Sequence, residues 1–227
     1  MANDTSSSYA LIDGFRISEL DLLKYEVRRA RAASALLYEK LSARRITELL
    51  GDEIASMKRT KDEWVRGAAG AWTGSITEIQ VTGGSASGFL RWFQGRMAAD
   101  DHAVMLDAHP DHFAILKEAD GRVSILETTG GWKTPSLFYA RFTQDARDAA
   151  DVLEPSLPVR LIGYLESADG AAQGKVLHQF GDTAEGFQAR LAIYWPVNAD
   201  PEMIKGHQWH LACEFVNWTK MYVESLG

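Results

Sequence analysis

Apolar and polar positions change their rhythm along the chain. From Ser18 to about Trp64 apolar residues recur at helical spacing, through LLKYEVRRARAASALLYEKL and then ARRITELLGDEIASM. Ser18 and Asp21 form a capping-box pattern at the head of the first stretch. After Trp64 the pattern turns to short extended runs. SITEIQVT (75–82) reads as a strand, and GFLRWFQGRM (88–97) is ambiguous with a lean to helix. From 112 onward HFAILKE, GRVSILET, SLFYARFT, PVRLIGYLES, GKVLHQFGD and GFQARLAIYWPV follow one another as strands. Asp120–Gly121 and Asp169–Gly170 are hairpin signals. Asp200 as N-cap and Pro201 as first helical residue open a final helix through HQWHLACEFVNWTKMYVESL.

The order is helices, then an antiparallel meander, then one long helix that must cover a face of the sheet. That is α+β. A closed sheet wrapped round the terminal helix leaves a cavity between them. The chain reads as one domain, 1–227, with a disordered tail over residues 1 to about 10, a helical region over 11–66 and the sheet-and-helix core over 75–227.

Strand alternation puts Glu127 on the same face as Val123 and Ile125. An inward carboxylate costs several kcal/mol unless a cation or strong donors compensate it. A two-residue turn at Asp120–Gly121 would pair Ala119 with Arg122 and set Ala114 opposite Glu127. His112 then lies on the face of Ala114, diagonal to Glu127. On the terminal helix His210 and Glu214 are four apart and face the same way, with His207 and Trp218 near that stripe. His112, Glu127, His210 and Glu214 thus form an N2O2 set suited to one divalent metal. Zn²⁺ is the first choice, Fe²⁺ and Mn²⁺ fit as well, and thiolate-loving ions do not. His207, one turn before His210, is the nearest substitute ligand, and whether it or His109 joins the site is left open by the sequence. His178 alternates in phase with Val176 and Phe180 on an apolar strand face. His109 and Asp111 beside Pro110 read as turn residues, and Cys213 as a small buried hydrophobe.

Composition narrows the classes. The 227 residues are 46% hydrophobic and 24% charged, enough for a sizeable core. Thirty-one acidic against twenty-four basic side chains leave a formal charge of −7, which argues against a nucleic-acid footprint and against anionic membranes. One cysteine makes no internal disulfide. A polar amino end and no long apolar run point to a cytoplasmic protein.

The string His109-Pro110-Asp111-His112, the Glu127 strand, His178-Gln179-Phe180-Gly181-Asp182 and His210-Leu-Ala-Cys-Glu214-Phe215-Val-Asn217 occur in one order. That order resembles the diacetylphloroglucinol hydrolase and phloretin hydrolase family over about the last 130 residues. The resemblance implies a helix-grip fold, as in START domains and the birch pollen allergen. It also implies a metal on His112, Glu127, His210 and Glu214. The implied activity is hydrolysis of the carbon–carbon bond between an acyl group and a phenolic or β-dicarbonyl carbon. His178 would sit near the substrate, transferring a proton to the departing carbon or orienting a ring oxygen. The family holds ring hydroxyls with tyrosine near the histidine motif, whereas residues 103–108 (AVMLDA) contain none. A small aromatic or polyketide-like substrate and a homodimer are the expected partners. A polyketide cyclase or lyase of the same fold and a non-catalytic carrier are the competing readings.

Overall fold

The computed structural model describes residues 10–132, 134–143, 145 and 152–227. The chain divides into two compact units, Met1–Ser42 and Ala43–Gly227.

In the first unit a small hairpin, β1 (Ala10–Ile12) and β2 (Phe15–Ile17), precedes helix α1 (Glu19–Lys40). The hairpin was not foreseen in a region expected to be helical. Its two-residue Asp13–Gly14 loop has positive φ at both positions (51° and 82°), as a type I′ turn requires. Ser18 caps α1 as expected, accepting from the Asp21 amide at 3.1 Å. The expected disordered tail lies outside the described residues, apart from Ala10.

The second unit opens with α2 (Ala43–Leu49) and α3 (Gly51–Ala68). One continuous helix was expected over 43–57. It breaks at Leu50, whose ψ of 16° leaves the helical range. Gly51 propagates a helix poorly, while Asp52 and Glu53 suit the positive end of a new one. There follow β3 (Trp72–Thr82), α4 (Ala86–Ala98) and α5 (His102–Asp107). The meander comprises β4 (His112–Lys117), β5 (Val123–Glu127), β6 (Ser136–Thr143), β7 (Val159–Glu166), β8 (Ala172–Asp182) and β9 (Gly186–Pro196). Helix α6 (Pro201–Glu224) closes the unit, with Asp200 accepting from the Glu202 amide at 2.8 Å.

All seven strands pair antiparallel in the order β3-β9-β8-β7-β6-β5-β4. This is an α+β helix-grip arrangement. Among the described residues β3 and β4 are not paired, so the sheet is open and not closed as expected. α6 buries His207, His210, Leu211, Glu214, Phe215 and Trp218, spaced by three and four on one face. From α4, Phe89 packs against Phe180, Phe187, Phe215 and Tyr222, filling one part of the interior with rings. The amino-terminal part of α6 lies against a 3₁₀ turn at Thr129–Gly131, just after Glu127. A Cβ on Gly130 would collide with the His207 backbone, and one on Gly206 with the Gly130 carbonyl. That glycine-to-glycine approach brings the helix bearing the histidines down onto the end of β5.

The β4–β5 hairpin differs from expectation in two ways, each shifting the register by one residue in the same direction. Glu118 donates its amide to the Arg122 carbonyl at 2.8 Å, so the loop is Ala119-Asp120-Gly121, three residues and not two, with Gly121 at φ 86°. Ala114 therefore pairs with Leu126, not with Glu127. Continued regularly, this register would set Phe113 opposite Glu127. A β-bulge at Phe113 absorbs one residue, and His112 pairs directly with Glu127. His112 thus shares the inner face of Ile115, not that of Ala114.

Candidate metal centre

His112, Glu127, His210 and Glu214 are all buried and line one cavity between the sheet and α6. Each owes its place to local structure. The bulge turns His112 inward, regular alternation turns Glu127 inward, and the i,i+4 spacing on α6 stacks His210 beneath Glu214.

Their ligand atoms converge. His112 Nε2 lies 3.1 Å from His210 Nε2, 3.3 Å from Glu214 Oε2 and 3.7 Å from Glu127 Oε2. His210 Nε2 lies 3.5 Å from Glu127 Oε2 and 3.7 Å from Glu214 Oε2. A tetrahedral ion with bonds of about 2.0–2.1 Å has ligand–ligand edges of about 3.3–3.4 Å, in the middle of this range. His112, His210 and Glu214 form a group within metal-binding distance of one another, and Glu127 approaches both histidines of that group.

The tautomer of His112 is determined by its surroundings. Its Nδ1 lies 3.0 Å from the Met105 carbonyl, which only accepts, so Nδ1 carries a proton and Nε2 is the nitrogen that faces the other three. A backbone carbonyl behind a histidine is the usual outer partner of a metal-bound imidazole. Met105 is itself held in place. On α5, Trp218 Nε1 donates to the Val104 carbonyl at 3.2 Å, and Asn217 Nδ2 to the Ala108 carbonyl at 2.8 Å. The Trp218 ring stacks on His112. His210 has no such support, because its buried Nδ1 has no hydrogen-bond partner among the described residues. Its ring instead stacks on His109, centroids 3.9 Å apart.

Burial dominates the electrostatics. It raises the Glu127 carboxyl to about 7, with His112 and Lys61 pulling the other way and Glu214 adding to the rise. Burial also raises Glu214, opposed by its hydrogen bond and charge interaction with His112. Burial would lower His112, but the Glu214 hydrogen bond and the charges of Glu214 and Glu127 outweigh it and raise the pKa. His210 falls well below the ordinary histidine value through burial, with His112, His207 and His109 adding to the fall. Two buried carboxylates and two imidazoles facing one point are costly to desolvate. A divalent cation compensates all four donors together, so the residues fit the ion expected from the sequence.

His178 lines the same cavity, edge-on to Phe215 at 4.9 Å between centroids. Its Nδ1 accepts from the Ala192 amide at 3.2 Å, so the proton resides on Nε2. Burial pushes its pKa down to about 3, leaving the ring neutral at physiological pH. His207 does not join the four. Its Nδ1 is 3.0 Å from the Ser75 hydroxyl, and burial, reinforced by His178, Lys61 and His109, lowers it to about 3. His109 and Asp111, read as turn residues, form a further group with His210 within metal-binding distance. Asp111 donates its amide to His109 Nδ1 at 3.1 Å.

Sequence reasoning missed Ser75 and Lys61. Ser75 pairs with the cavity-lining Ile193, a relation that depends on β3–β9 register, and Lys61 lies in the region read as helical, where a lysine carries no local signal of facing inward. The cavity is about 90 Å³ and mostly apolar, room for a few water molecules.

No family model and no curated protein sequence matches the chain. Among solved structures, a START superfamily protein from Mycobacterium smegmatis aligns with a TM-score of 0.38 and 14% identity, over 70% of this chain and 100% of that one. No helix among the described residues is long and apolar enough to cross a membrane.

Proposed function

We propose that the protein is a metal-dependent hydrolase that cleaves the carbon–carbon bond between an acyl group and a phenolic or β-dicarbonyl carbon. The observation that carries the reading is the convergence of His112 Nε2, His210 Nε2, Glu127 Oε2 and Glu214 Oε2, with the His112 tautomer directed inward by Met105. When bound there, a divalent ion, Zn²⁺ first among the candidates, supplies Lewis acidity toward an acyl oxygen or a water molecule.

The protein's own residues supply the rest. Phe138 and Phe215 wall the cavity and exclude bulk water from a bound ring. Of the two roles left open for His178, the hydrogen-bond donor fits its tautomer and its low pKa: Nε2–H donates to an acyl or ring oxygen as charge gathers there. Hydrolysis joins a water oxygen to the acyl carbon. The bonding pair then passes to the ring carbon, where an adjacent carbonyl spreads the charge until a proton is taken up. A ring with an acyl group exceeds the present cavity, as ligand sites usually measure about 300–1,000 Å³, so binding requires the aromatic wall to open. A cytoplasmic homodimer acting on a small aromatic or polyketide-like substrate completes the proposal.

The small apolar cavity favours one second reading, a helix-grip protein that binds a compact ligand without chemistry. Elemental analysis of protein never exposed to chelator separates the two: about one divalent ion per chain is expected for the hydrolase. Acylphloroglucinols and simple 1,3-diketones are then screened in ¹⁸O-water, with labelled carboxylate as the positive result. Full metal loading with no cleavage moves the assignment to a cyclase or lyase of the same fold.

A further inference from the structure

Lys61 on α3 is 3% exposed, a rare state for a lysine, and its surroundings connect it to the interior of the grip. Its Nζ donates to the Ser136 hydroxyl at 2.5 Å. The same nitrogen stands 4.5 Å from the centroid of Phe138 and 5.3 Å from that of Trp195, both of which line the cavity. Ser136 is the direct cross-strand partner of Glu127, so the amine approaches the ligand cluster from the end of β5 and β6. Among the described residues no carboxylate lies within ion-pair distance of it. Burial lowers its pKa to about 8, with Glu127 opposing, so at neutral pH the group is an ammonium.

With a divalent ion in place, the charges around the cavity do not balance until a further ligand binds. On the reading proposed above, two carboxylates neutralise a divalent ion. His178 accepts the Ala192 amide through Nδ1 and is a neutral imidazole, and a histidine that coordinates through a lone pair adds no charge. The Lys61 ammonium then remains as one positive charge in a low-dielectric interior. A hydroxyl and two ring faces stabilise it only in part. An anion entering the cavity is the complement that the geometry lacks.

We propose that Lys61 is a specificity-determining residue that selects a ligand carrying a single negative charge, such as the enolate of a 1,3-diketone, a phenolate or a carboxylate. This rests on the metal reading for its charge balance, while the residue responsible is tested separately. A merely structural lysine would contribute to packing and stability and leave the choice between charged and neutral ligands of equal size unchanged.

The test uses benzoate and benzamide, which share size and shape and differ by one negative charge, with affinities measured by calorimetry at pH 7 on the full chain. Zinc-loaded and chelator-treated samples of the wild type, Lys61→Met and Ser136→Ala are compared, with zinc content determined on each. Met has the length and apolar character to replace the buried stem, and Ser136→Ala removes the hydrogen bond while leaving the charge. The wild type is expected to prefer benzoate, Lys61→Met to lose at least tenfold of that preference with benzamide affinity unchanged, and Ser136→Ala to retain it. A wild type that does not prefer benzoate, or does not bind it, overturns the proposal, as does Lys61→Met with its preference intact. Wild-type protein that takes up no zinc overturns the metal reading and, with it, the charge balance assigned to Lys61, an outcome the zinc determination separates from a failure of Lys61 alone.

Discussion

His112 donates through Nδ1 to the Met105 carbonyl at 3.0 Å, and this one bond decides which of its nitrogens faces the cluster. Because α5 carries that carbonyl and is tied to α6 by Asn217 and Trp218, the orientation of His112 depends on residues that touch no ligand atom. Asn217→Ala should therefore weaken zinc binding by about 10–100-fold, the usual effect of losing an outer-shell partner. Its stability should fall by only about 1 kcal/mol. Competition with a chromophoric chelator measures the first and urea denaturation of metal-free protein the second.

His210→Ala removes a ligand outright. Zinc content should fall to background, and the rise in Tm on adding zinc, which reflects mass-action stabilisation of the folded state, should vanish. Retention of full zinc by this variant would remove His210 from the site.

Metal uptake should depend on pH through Glu127. With its carboxyl near 7, metal-free protein holds a proton there at neutral pH that a cation must displace. Zinc affinity should fall as pH drops below about 7, up to about tenfold per pH unit for one displaced proton. Calorimetry in buffers of different ionisation enthalpy should register the released proton. Glu127→Gln should reduce this release to the share of His112, whose pKa is also raised, and lower the affinity.

The metal-free protein should lose stability in acid for a different reason. His178 and His207 are near 3 in the folded state against about 6.5 when unfolded. Between these values the unfolded chain binds more protons, so stability declines as pH falls through 6.5 toward 3. His210, also lowered, adds to the decline, while the raised carboxyls of Glu127 and Glu214 act oppositely above their unfolded values and the raised His112 only above about 6.5, so between about pH 5 and about 6.5 three groups oppose two. Denaturant midpoints of chelated protein at pH 5 and pH 7 should differ, with pH 5 the lower.

For His178, a hydrogen-bond donor and a proton carrier give different outcomes. His178→Ala should cut turnover on a cleavable 1,3-diketone by about 10²–10³-fold, the cost of one donor aimed at developing charge. His178→Gln, which keeps an N–H, should recover part of that loss, and neither variant should change zinc content. A pH–rate inflection that disappears in His178→Gln would instead assign it the proton transfer.

Much of the site was legible in the sequence because its signals are local. The inward Glu127 follows from the period-2 rhythm of its strand, the shared face of His210 and Glu214 from the 3.6 period of the helix, and the start of α6 from Asp200 and Pro201. These patterns depend on a residue's own neighbours, so they survive in one dimension. Hairpin register does not. Three Asp-Gly pairs look alike, yet only Asp13–Gly14 forms a two-residue turn, while Asp120–Gly121 and Asp169–Gly170 belong to three-residue loops. One extra loop residue shifts every partner on β4, and the bulge at Phe113 shifts His112 by one more in the same direction. His112 and Glu127 thus meet because two one-residue shifts add, and a shift of two residues restores the inward face. Equally non-local are Ser75 beside His207, Gly130 against Gly206, and Lys61 behind Phe138 and Trp195. The sequence by itself determined the inward facing of residues set by a regular period, such as Glu127, His210 and Glu214. Only the packed sheet and helix decided which of them touch, because contact depends on register and close approach between segments far apart in the chain.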